Sequence, residues 1–233
     1  LMHLLSFLTS LVIPHHCLLC KNALKTKEQS ICQICILAQA RCSKLDLIPH
    51  ERIFSTVAAS FMCALINTQS AKQLCQNLKY GSNHFLAIEL GHSLLGPCLQ
   101  SFYQKSSKKP FLIPMPISKR RRKSRGYNQS EKLSEGCLRF IRAQGIDATS
   151  INLLNKTHHK RSQVEFGPFD RWTNPKGSIG IRKKVKQRIS ENALLVLIDD
   201  TVTTGSTLIH ASKIIRDHFP SHPLLILSLA LEV

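Results

Sequence analysis

The sequence predicts an α/β protein with a mostly parallel sheet flanked by helices, preceded by a small module that contains four cysteines. Short apolar segments alternate with helix-like segments in the second half, as is typical of parallel sheets. Ala193–Ile198 is apolar throughout, which is expected of a strand covered on both faces. We place the N-terminal module at residues 1–45 and the α/β domain at residues 50–233, with a linker near Ser43–Glu51.

The elements of the α/β domain are predicted from apolar runs and from the turn residues that bound them. Strands are expected at Thr56–Leu65, Phe111–Met115, Ile151–Leu154, Ala193–Ile198 and Leu224–Leu231. Helices are expected at Thr68–Leu78, His84–Tyr103, Gln129–Gln144 and Ser206–His218, although Gly91, Gly96 and Pro97 weaken the second of these.

The composition excludes several classes of protein. Of the 233 residues, 43% are hydrophobic and 20% are charged, which is too apolar for a disordered chain and sufficient for a sizeable core. No apolar run reaches the roughly 18 residues that a bilayer requires, so we expect no membrane span. Nine cysteines, an odd number that includes two CxxC pairs, argue against a secreted disulfide framework and favour the cytoplasm.

The first fourteen residues are predicted to form an amphipathic helix that docks on the protein, because their apolar residues recur at helical spacing. They have neither the basic start nor the small-residue cleavage site of a signal peptide. They also have no Lys or Arg to contact lipid headgroups, which disfavours the alternative of a peripheral membrane anchor.

Two CxxC pairs indicate a metal site. Cys17 and Cys20 form one pair, Cys32 and Cys35 form the other, and eleven residues separate them. Each pair places two thiolates on a tight turn, so together they offer tetrahedral all-sulfur coordination. We expect a closed, structural Zn²⁺ site, with an iron–sulfur cluster or two redox dithiols as the alternatives.

The net charge of +18 predicts a polyanionic partner, either nucleic acid or an anionic membrane surface. Six of the seven residues from Lys119 to Arg125 are basic. We interpret them as a surface for single-stranded DNA, where cations neutralise phosphates and nearby aromatic residues stack on bases; a solvated loop without this role is the alternative. The predicted DNA-binding residues are Lys119, Arg120, Arg121, Arg122, Lys123, Arg125 and Tyr127.

A phosphate site is predicted directly after Ala193–Ile198, where Asp199 and Asp200 precede a run of hydroxyl residues and a helix. Hydroxyl donors, a glycine and the first N–H groups of a helix make a cradle for phosphate. The two carboxylates would repel a phosphate but suit the hydroxyls of a sugar or a divalent cation. The alternative is a helix-capping loop without a ligand.

The segment Leu197–Gly205 resembles the 5-phosphoribosyl-1-pyrophosphate (PRPP) motif of type I phosphoribosyltransferases. The resemblance implies a fold of that type, with Asp199 and Asp200 as catalytic residues that hold the ribose hydroxyls. It also implies that Thr203–Thr207 hold the 5′-phosphate and that Mg²⁺ is carried on the pyrophosphate. The PRPP-binding residues implied are Asp199, Asp200, Thr201, Thr203, Thr204, Gly205, Ser206 and Thr207.

Further motifs resemble the ComF-type competence proteins and the GntX-like proteins, which share one layout. After the cysteine module come Leu78–Gly81, Pro114–Pro116 and Arg125–Gln129 in the order seen in those families. The resemblance also implies a pyrophosphate-binding or mobile loop that uses Arg122, Arg125, Lys160, Gln163 and Arg171. His158 and Lys160 depart from the usual Arg and Thr, which puts efficient closure of this loop in doubt.

The ComF resemblance implies a cytoplasmic role in natural transformation, in which the protein receives incoming single-stranded DNA beside an ATP-driven translocase or helicase. The alternative is an active phosphoribosyltransferase that transfers phosphoribose from PRPP to an unidentified acceptor. Against it, no acceptor pocket is recognisable, because the cysteine module and Leu78–Gly81 occupy the place of the usual hood segment. A regulator that senses PRPP is a third option, but no helix-turn-helix is visible in the sequence.

Overall fold

The structure is a computed structural model that describes residues 16–25, 28–81, 83–104, 108–157 and 178–231. The predicted helix at residues 1–14 lies outside the described residues, as do Lys160, Gln163 and Arg171 of the predicted mobile loop. Among the described helices, none has the length and apolar character that crossing a membrane would require.

Seven strands are described. In chain order they are β1 (Ser60–Leu65), β2 (Lys109–Pro114), β3 (Thr149–Ser150), β4 (Leu154–Thr157), β5 (Ser178–Ile181), β6 (Ala193–Val202) and β7 (Leu224–Leu231). Five of them form a parallel sheet in the order β1-β7-β6-β2-β3, and β4 pairs with β5 in an antiparallel hairpin. The predicted α/β class with a mostly parallel sheet is therefore confirmed.

Helices cover both faces of the sheet. They are α1 (Gln33–Leu37), α2 (Lys44–Ser55), α3 (Gln69–Tyr80), α4 (His84–Leu90), α5 (Gly96–Tyr103), α6 (Lys119–Arg125), α7 (Gln129–Ala143), α8 (Lys183–Lys186) and α9 (Ser206–His218). The cysteine module and helices α3, α4, α5 and α7 pack on one face, and α2 and α9 pack on the other. The central strand β6 is buried on both faces up to Ile198, which explains its unbroken apolar sequence.

The predicted helix His84–Tyr103 is continuous, because a π-helical turn at Gly91–Leu95 joins α4 to α5. Its glycines have a packing role. A Cβ on Gly91 would lie 2.1 Å from the carbonyl oxygen of Leu133, and one on Gly136 would lie 2.0 Å from that of Ile88. The two glycines therefore allow this helix and α7 to approach closely, so they do not mark a break.

Two element predictions were wrong. The predicted linker near Ser43–Glu51 is largely helix α2, which a capping box between Ser43 and Asp46 starts and which tolerates Pro49 inside it. The predicted strand Ile151–Leu154 falls between β3 and β4 except for Leu154, the first residue of β4. Ile151 and Leu153 are buried although they do not belong to a strand. Their apolar character therefore reflects packing in the core. The other predicted strands and helices are present, with ends shifted by a few residues.

Candidate functional site

The predicted phosphate segment lies at the carboxyl end of β6, where open parallel sheets place their ligands. The strand continues through the two carboxylates to Val202, and Asp199 and Thr201 pair with Ser228 and Ala230 of β7. The sequence suggested that the strand ended at Ile198. The pairing instead fixes the backbone of both acidic residues in the sheet, so their positions relative to one another are set by the strand.

Asp199 and Asp200 have different surroundings. The hydroxyl of Ser130 and the backbone N–H of Asp200 each donate to Asp199 Oδ1 at 3.0 Å. Burial and the adjacent Asp200 carboxylate raise the pKa of Asp199 to about 8. At neutral pH Asp199 therefore holds a proton readily, and a ligand that favours its ionised form, such as a hydroxyl donor or a cation, has to displace that proton.

The hydroxyl loop follows the strand at once. Gly205 has a left-handed backbone conformation (φ 70°) and forms the N-cap of α9, a conformation that side chains rarely adopt. Thr203, Thr204 and Ser206 are exposed around it, and Thr204 Oγ1 donates to Ser206 Oγ at 3.2 Å. Together with the first N–H groups of the thirteen-residue helix α9, these hydroxyls can hold an anion.

Thr201 stands apart from the other hydroxyl residues. Its Oγ1 is buried and has no hydrogen-bond partner among the described residues. It faces a small cavity of about 90 Å³ that Lys72 and Lys79 of α3 also line. Thr201 therefore lines a cavity beside α3, whereas Thr203, Thr204 and Ser206 are exposed.

The basic run forms helix α6 between the carboxyl end of β2 and α7. Ser118 Oγ accepts a hydrogen bond from Arg121 N, and Gly126 ends the helix. Every basic side chain of α6 is exposed except that of Arg125, which is half-buried and donates to Gln129 Oε1 at 3.2 Å. In the described part of the chain, the only ion pair of these six cations joins Arg122 to Glu131, so the surface carries a large uncompensated charge.

The residues after α6 attach it to the domain. Tyr127 Oη donates to the carbonyl oxygen of Leu78 at 2.8 Å, and Gln129 Nε2 donates to the same oxygen at 3.1 Å. Asn128 Nδ2 donates to the carbonyl oxygen of Met115 at 2.9 Å. Three motifs that lie far apart in the sequence thus meet through backbone carbonyl groups.

Tyr127 is half-buried at this junction. Burial, and to a smaller extent the charge of Asp200, raise its pKa to about 12. The phenol therefore remains a hydrogen-bond donor at any pH at which the protein would be studied.

A cavity of about 410 Å³ lies between α6, α7 and β4. Lys119 and Arg122 of α6 line it, together with Lys156 of β4 and Arg182. Burial and the charge of Arg121 lower the pKa of Lys156, whereas Asp199 acts in the opposite direction. The charges of both Arg121 and Asp199 therefore act on Lys156, and the cavity suits an anionic ligand. The sequence offered no signal for Lys156 or Arg182, because neither belongs to a motif.

The four predicted metal ligands come together. The Sγ atoms of Cys17, Cys20, Cys32 and Cys35 all lie within 4.8 Å of one another, and those of Cys20 and Cys32 are 3.7 Å apart. Four thiolates about 2.3 Å from a central zinc would be about 3.8 Å apart, so the cluster fits that ion. The backbone N–H of Cys32 donates to Cys17 Sγ and that of Cys35 donates to Cys32 Sγ, each at 3.4 Å. The predicted four-cysteine cluster is therefore confirmed.

The cysteine module is attached to the helices beside it. The carboxylate of Glu89 on α4 accepts the backbone N–H groups of Gln29 and Ser30, each at 3.0 Å. Gln73 Nε2 on α3 donates to the carbonyl oxygen of Leu18 at 3.2 Å. The cluster thus fixes a loop that packs against α3 and α4, which suits a structural role.

Comparison with known proteins identifies distant relatives. Competence protein F of Haemophilus influenzae is 30% identical over 109 residues, which cover 45% of this chain and 43% of that protein, so the chain spans less than half of that relative. DNA utilization protein YhgH of Salmonella typhimurium is 24% identical over 224 residues, 88% of this chain and 92% of that protein. The chain is distantly homologous to both, which confirms the predicted resemblance.

No protein-family model matches the chain. Among solved structures, a crystal structure of adenine phosphoribosyltransferase is similar, with a TM-score of 0.34 and 11% sequence identity. The similarity covers 67% of this chain and 89% of that one.

Proposed function

We propose that this protein handles incoming single-stranded DNA in the cytoplasm during natural transformation and carries a PRPP–Mg²⁺ site of the phosphoribosyltransferase type. The names of its two relatives, a competence protein and a DNA utilization protein, support the cellular role. A translocase or helicase of the competence machinery is the proposed protein partner. The observation that carries the proposal is the exposed basic helix α6, which follows β2 at the edge of the sheet where the neighbouring parallel strand β6 reaches the acidic pair.

The basic helix suits a strand of phosphates. Its cations lie on two turns of an exposed helix, and only Arg122 is neutralised by an ion pair in the described part of the chain. Each phosphate that such a surface neutralises releases counterions, which makes binding favourable at low salt and weak at high salt. The proposed DNA surface consists of the six cations of α6, with Tyr127 at its end.

The proposed PRPP site uses Asp199 and Asp200 for the ribose hydroxyls and Thr203–Thr207 for the 5′-phosphate. The donor set fits, because carboxylates accept hydrogen bonds from hydroxyls and attract Mg²⁺, whereas the hydroxyl loop attracts phosphate. Mg²⁺ on the pyrophosphate would offset its charge near the two carboxylates. Arg122 and Lys156 line the neighbouring cavity, where the pyrophosphate would find cations. The roles of Lys160, Gln163 and Arg171 remain predictions.

The two ligands would share Arg122, which belongs to α6 and also lines the cavity of about 410 Å³. A PRPP–Mg²⁺ complex in the cavity would draw this side chain away from DNA. We therefore expect PRPP–Mg²⁺ to change the affinity for single-stranded DNA.

The test is an anisotropy titration of a labelled single-stranded oligonucleotide at two salt concentrations, with and without PRPP–Mg²⁺. If roughly four phosphates are engaged, the salt slope is about −3 and affinity falls on the order of 60-fold between about 50 and 200 mM salt. A change on adding PRPP–Mg²⁺ would support a coupled site. Absence of binding at low salt would overturn the DNA function.

An active phosphoribosyltransferase is the second candidate, favoured by the cavity of about 410 Å³, which leaves room for an acceptor. Pro114, which lines this cavity, pairs with Ile198, the residue before Asp199. Displacement of pyrophosphate from PRPP would depend mainly on positioning and on stabilisation of positive charge at the ribose by the carboxylates. Release of pyrophosphate on addition of a nucleobase or amine, lost in the Asp200→Asn variant, would favour this function over DNA handling.

The ion at the cysteine cluster is proposed to be Zn²⁺. Metal analysis of protein produced with zinc present should give about one equivalent per chain, and Cys32→Ser should reduce it. A visible absorption band with bound iron would instead indicate an iron–sulfur cluster. Much less than one equivalent of any metal would contradict the metal site.

A further inference from the structure

Two aromatic side chains are unusually exposed near the basic helix. Tyr80, the last residue of α3, is 78% exposed, and Phe85, in the first turn of α4, is 48% exposed. Tyr80 has the largest exposed fraction of the large hydrophobic side chains in the described part of the chain. Single exposed apolar residues are common on protein surfaces, so their significance depends on what surrounds them.

Backbone contacts place Tyr80 beside the end of α6. The carbonyl oxygen of Leu78, two residues before Tyr80, accepts hydrogen bonds from Tyr127 and Gln129, which directly follow α6. Lys79 lines a cavity together with Thr201 of β6. The end of α3 therefore lies between the basic helix and the carboxyl end of the central strand.

Ring contacts through His84 connect Phe85 to Tyr127, close to the end of α6. Its ring centroid lies 4.2 Å from that of His84, which lies 6.5 Å from that of Tyr127 in an edge-on arrangement. Tyr127 Oη also lies 3.3 Å from the carbonyl oxygen of Asn83, the residue that caps α4. The starts of α4 and of α7 therefore meet where α6 ends.

We propose that Tyr80 and Phe85 form a stacking platform for the unpaired bases of a DNA strand whose phosphates lie along α6. This inference rests on the proposed DNA function and extends it to the choice between single-stranded and double-stranded DNA. Proteins that bind single strands without sequence preference combine a basic track with aromatic faces, because every base has a face to stack. In a duplex those faces are covered by neighbouring bases, so the platform selects the single strand.

The experiment compares three labelled probes at one low salt concentration: an oligothymidylate, an abasic strand of equal length and a duplex. Since stacking contributes about 1–3 kcal/mol per base, Tyr80→Ala should weaken oligothymidylate binding by about 5-fold or more. Phe85→Ala should act in the same direction with a smaller effect. Both variants should bind the abasic strand as the unmodified protein does, and Tyr80→Phe, which keeps the ring, should bind oligothymidylate normally.

A control variant separates stacking from a general effect of truncation. Ile53→Ala on α2 removes a 39% exposed side chain from the other face of the sheet and should bind all probes normally. Equal binding of oligothymidylate by Tyr80→Ala and the unmodified protein would overturn the platform and leave the DNA function in place. An equal loss for the abasic strand would also overturn it. Failure of the unmodified protein to bind any probe would overturn both proposals.

Discussion

The acidic pair and the basic helix belong to the ends of two neighbouring strands, β6 and β2, but their charged groups have opposite surroundings. Asp199 is held in the central strand, accepts two hydrogen bonds and has a raised pKa. The cations of α6 are mostly exposed on a short helix. Burial and its hydrogen bonds give Asp199 properties that no other carboxylate need share. The cations of α6 are nearly interchangeable because they are exposed, so only their sum and position matter.

The difference suits two kinds of ligand. A small ligand with defined hydroxyls needs acceptors at fixed positions, and a β-strand provides such positions. A flexible polyanion needs a charged track whose contribution is additive and sensitive to salt. The two regions should therefore respond differently when single charges are removed.

The largest effect is expected from Asp200→Asn. The substitution removes a charged acceptor for the ribose hydroxyls, so affinity for PRPP–Mg²⁺ should fall by about 100-fold or more, beyond detection as titration heat. DNA binding without PRPP should stay unchanged, and the protein should remain folded. The matched control is Asp217→Asn, an exposed acid on α9. If the heat of PRPP binding were the same in Asp200→Asn as in the unmodified protein, the proposed contact of Asp200 with the ribose hydroxyls would be wrong.

Removal of three exposed cations should have the next largest effect. In the variant with Arg120, Arg121 and Arg122 replaced by Ala, affinity for single-stranded DNA should fall by about 10- to 50-fold at low salt, and the salt slope should flatten by about 2.

The control for this triple variant removes the same charge elsewhere, by replacing the exposed residues Arg52, Lys213 and Arg188 with Ala. An equal loss in both triple variants would show that net charge alone is responsible. Unchanged DNA binding in the first variant would place the DNA on another surface.

A separate effect concerns the pH dependence of stability. The pKa of Asp199 is raised to about 8 in the folded protein, so between the ordinary carboxyl pKa near 4 and about 8 the folded state binds more protons than the unfolded state. The free energy of unfolding should therefore fall as pH rises through this window. Asp199→Asn should remove that fall, which amounts to at most about 1.4 kcal/mol per pH unit. Unfolding curves of both proteins at pH 5, 6, 7 and 8 measure this fall. A difference in the free energy of unfolding between the two proteins that stays constant with pH would contradict the prediction.

The central part of the fold was predictable, because its signals are local. The apolar runs of β6 and β7 and the residues between Asp199 and Ser206 lie in one continuous segment, so strand, ligand loop and helix could be read together. The four cysteines were predictable for the same reason, since each pair closes within one turn.

The basic segment was predicted to bind DNA, but its helix was not predicted. Helices are recognised mainly by an apolar stripe, and Lys119–Arg125 has no apolar residue. The only other sequence features that indicate a helix are the residues at its two ends, Ser118 at the N-cap and Gly126 after the last turn. Lys156 was missed for another reason: the pairing of β4 with β5 positions it, and that pairing joins residues more than twenty positions apart.

The smallest effect tests how the two regions are connected, through Tyr127→Phe. The substitution removes the hydrogen bond from Tyr127 Oη to the carbonyl oxygen of Leu78, which still accepts one from Gln129 Nε2. The free energy of unfolding should therefore fall by about 1 kcal/mol. DNA affinity should change less than about twofold, because the ring remains and Asn128 still fixes the chain after α6. A loss of DNA affinity as large as that of the triple variant would show that this single hydrogen bond holds the basic helix in place. The contrast between the two regions would then be wrong, because DNA binding would depend on one half-buried contact and not on the sum of the exposed charges.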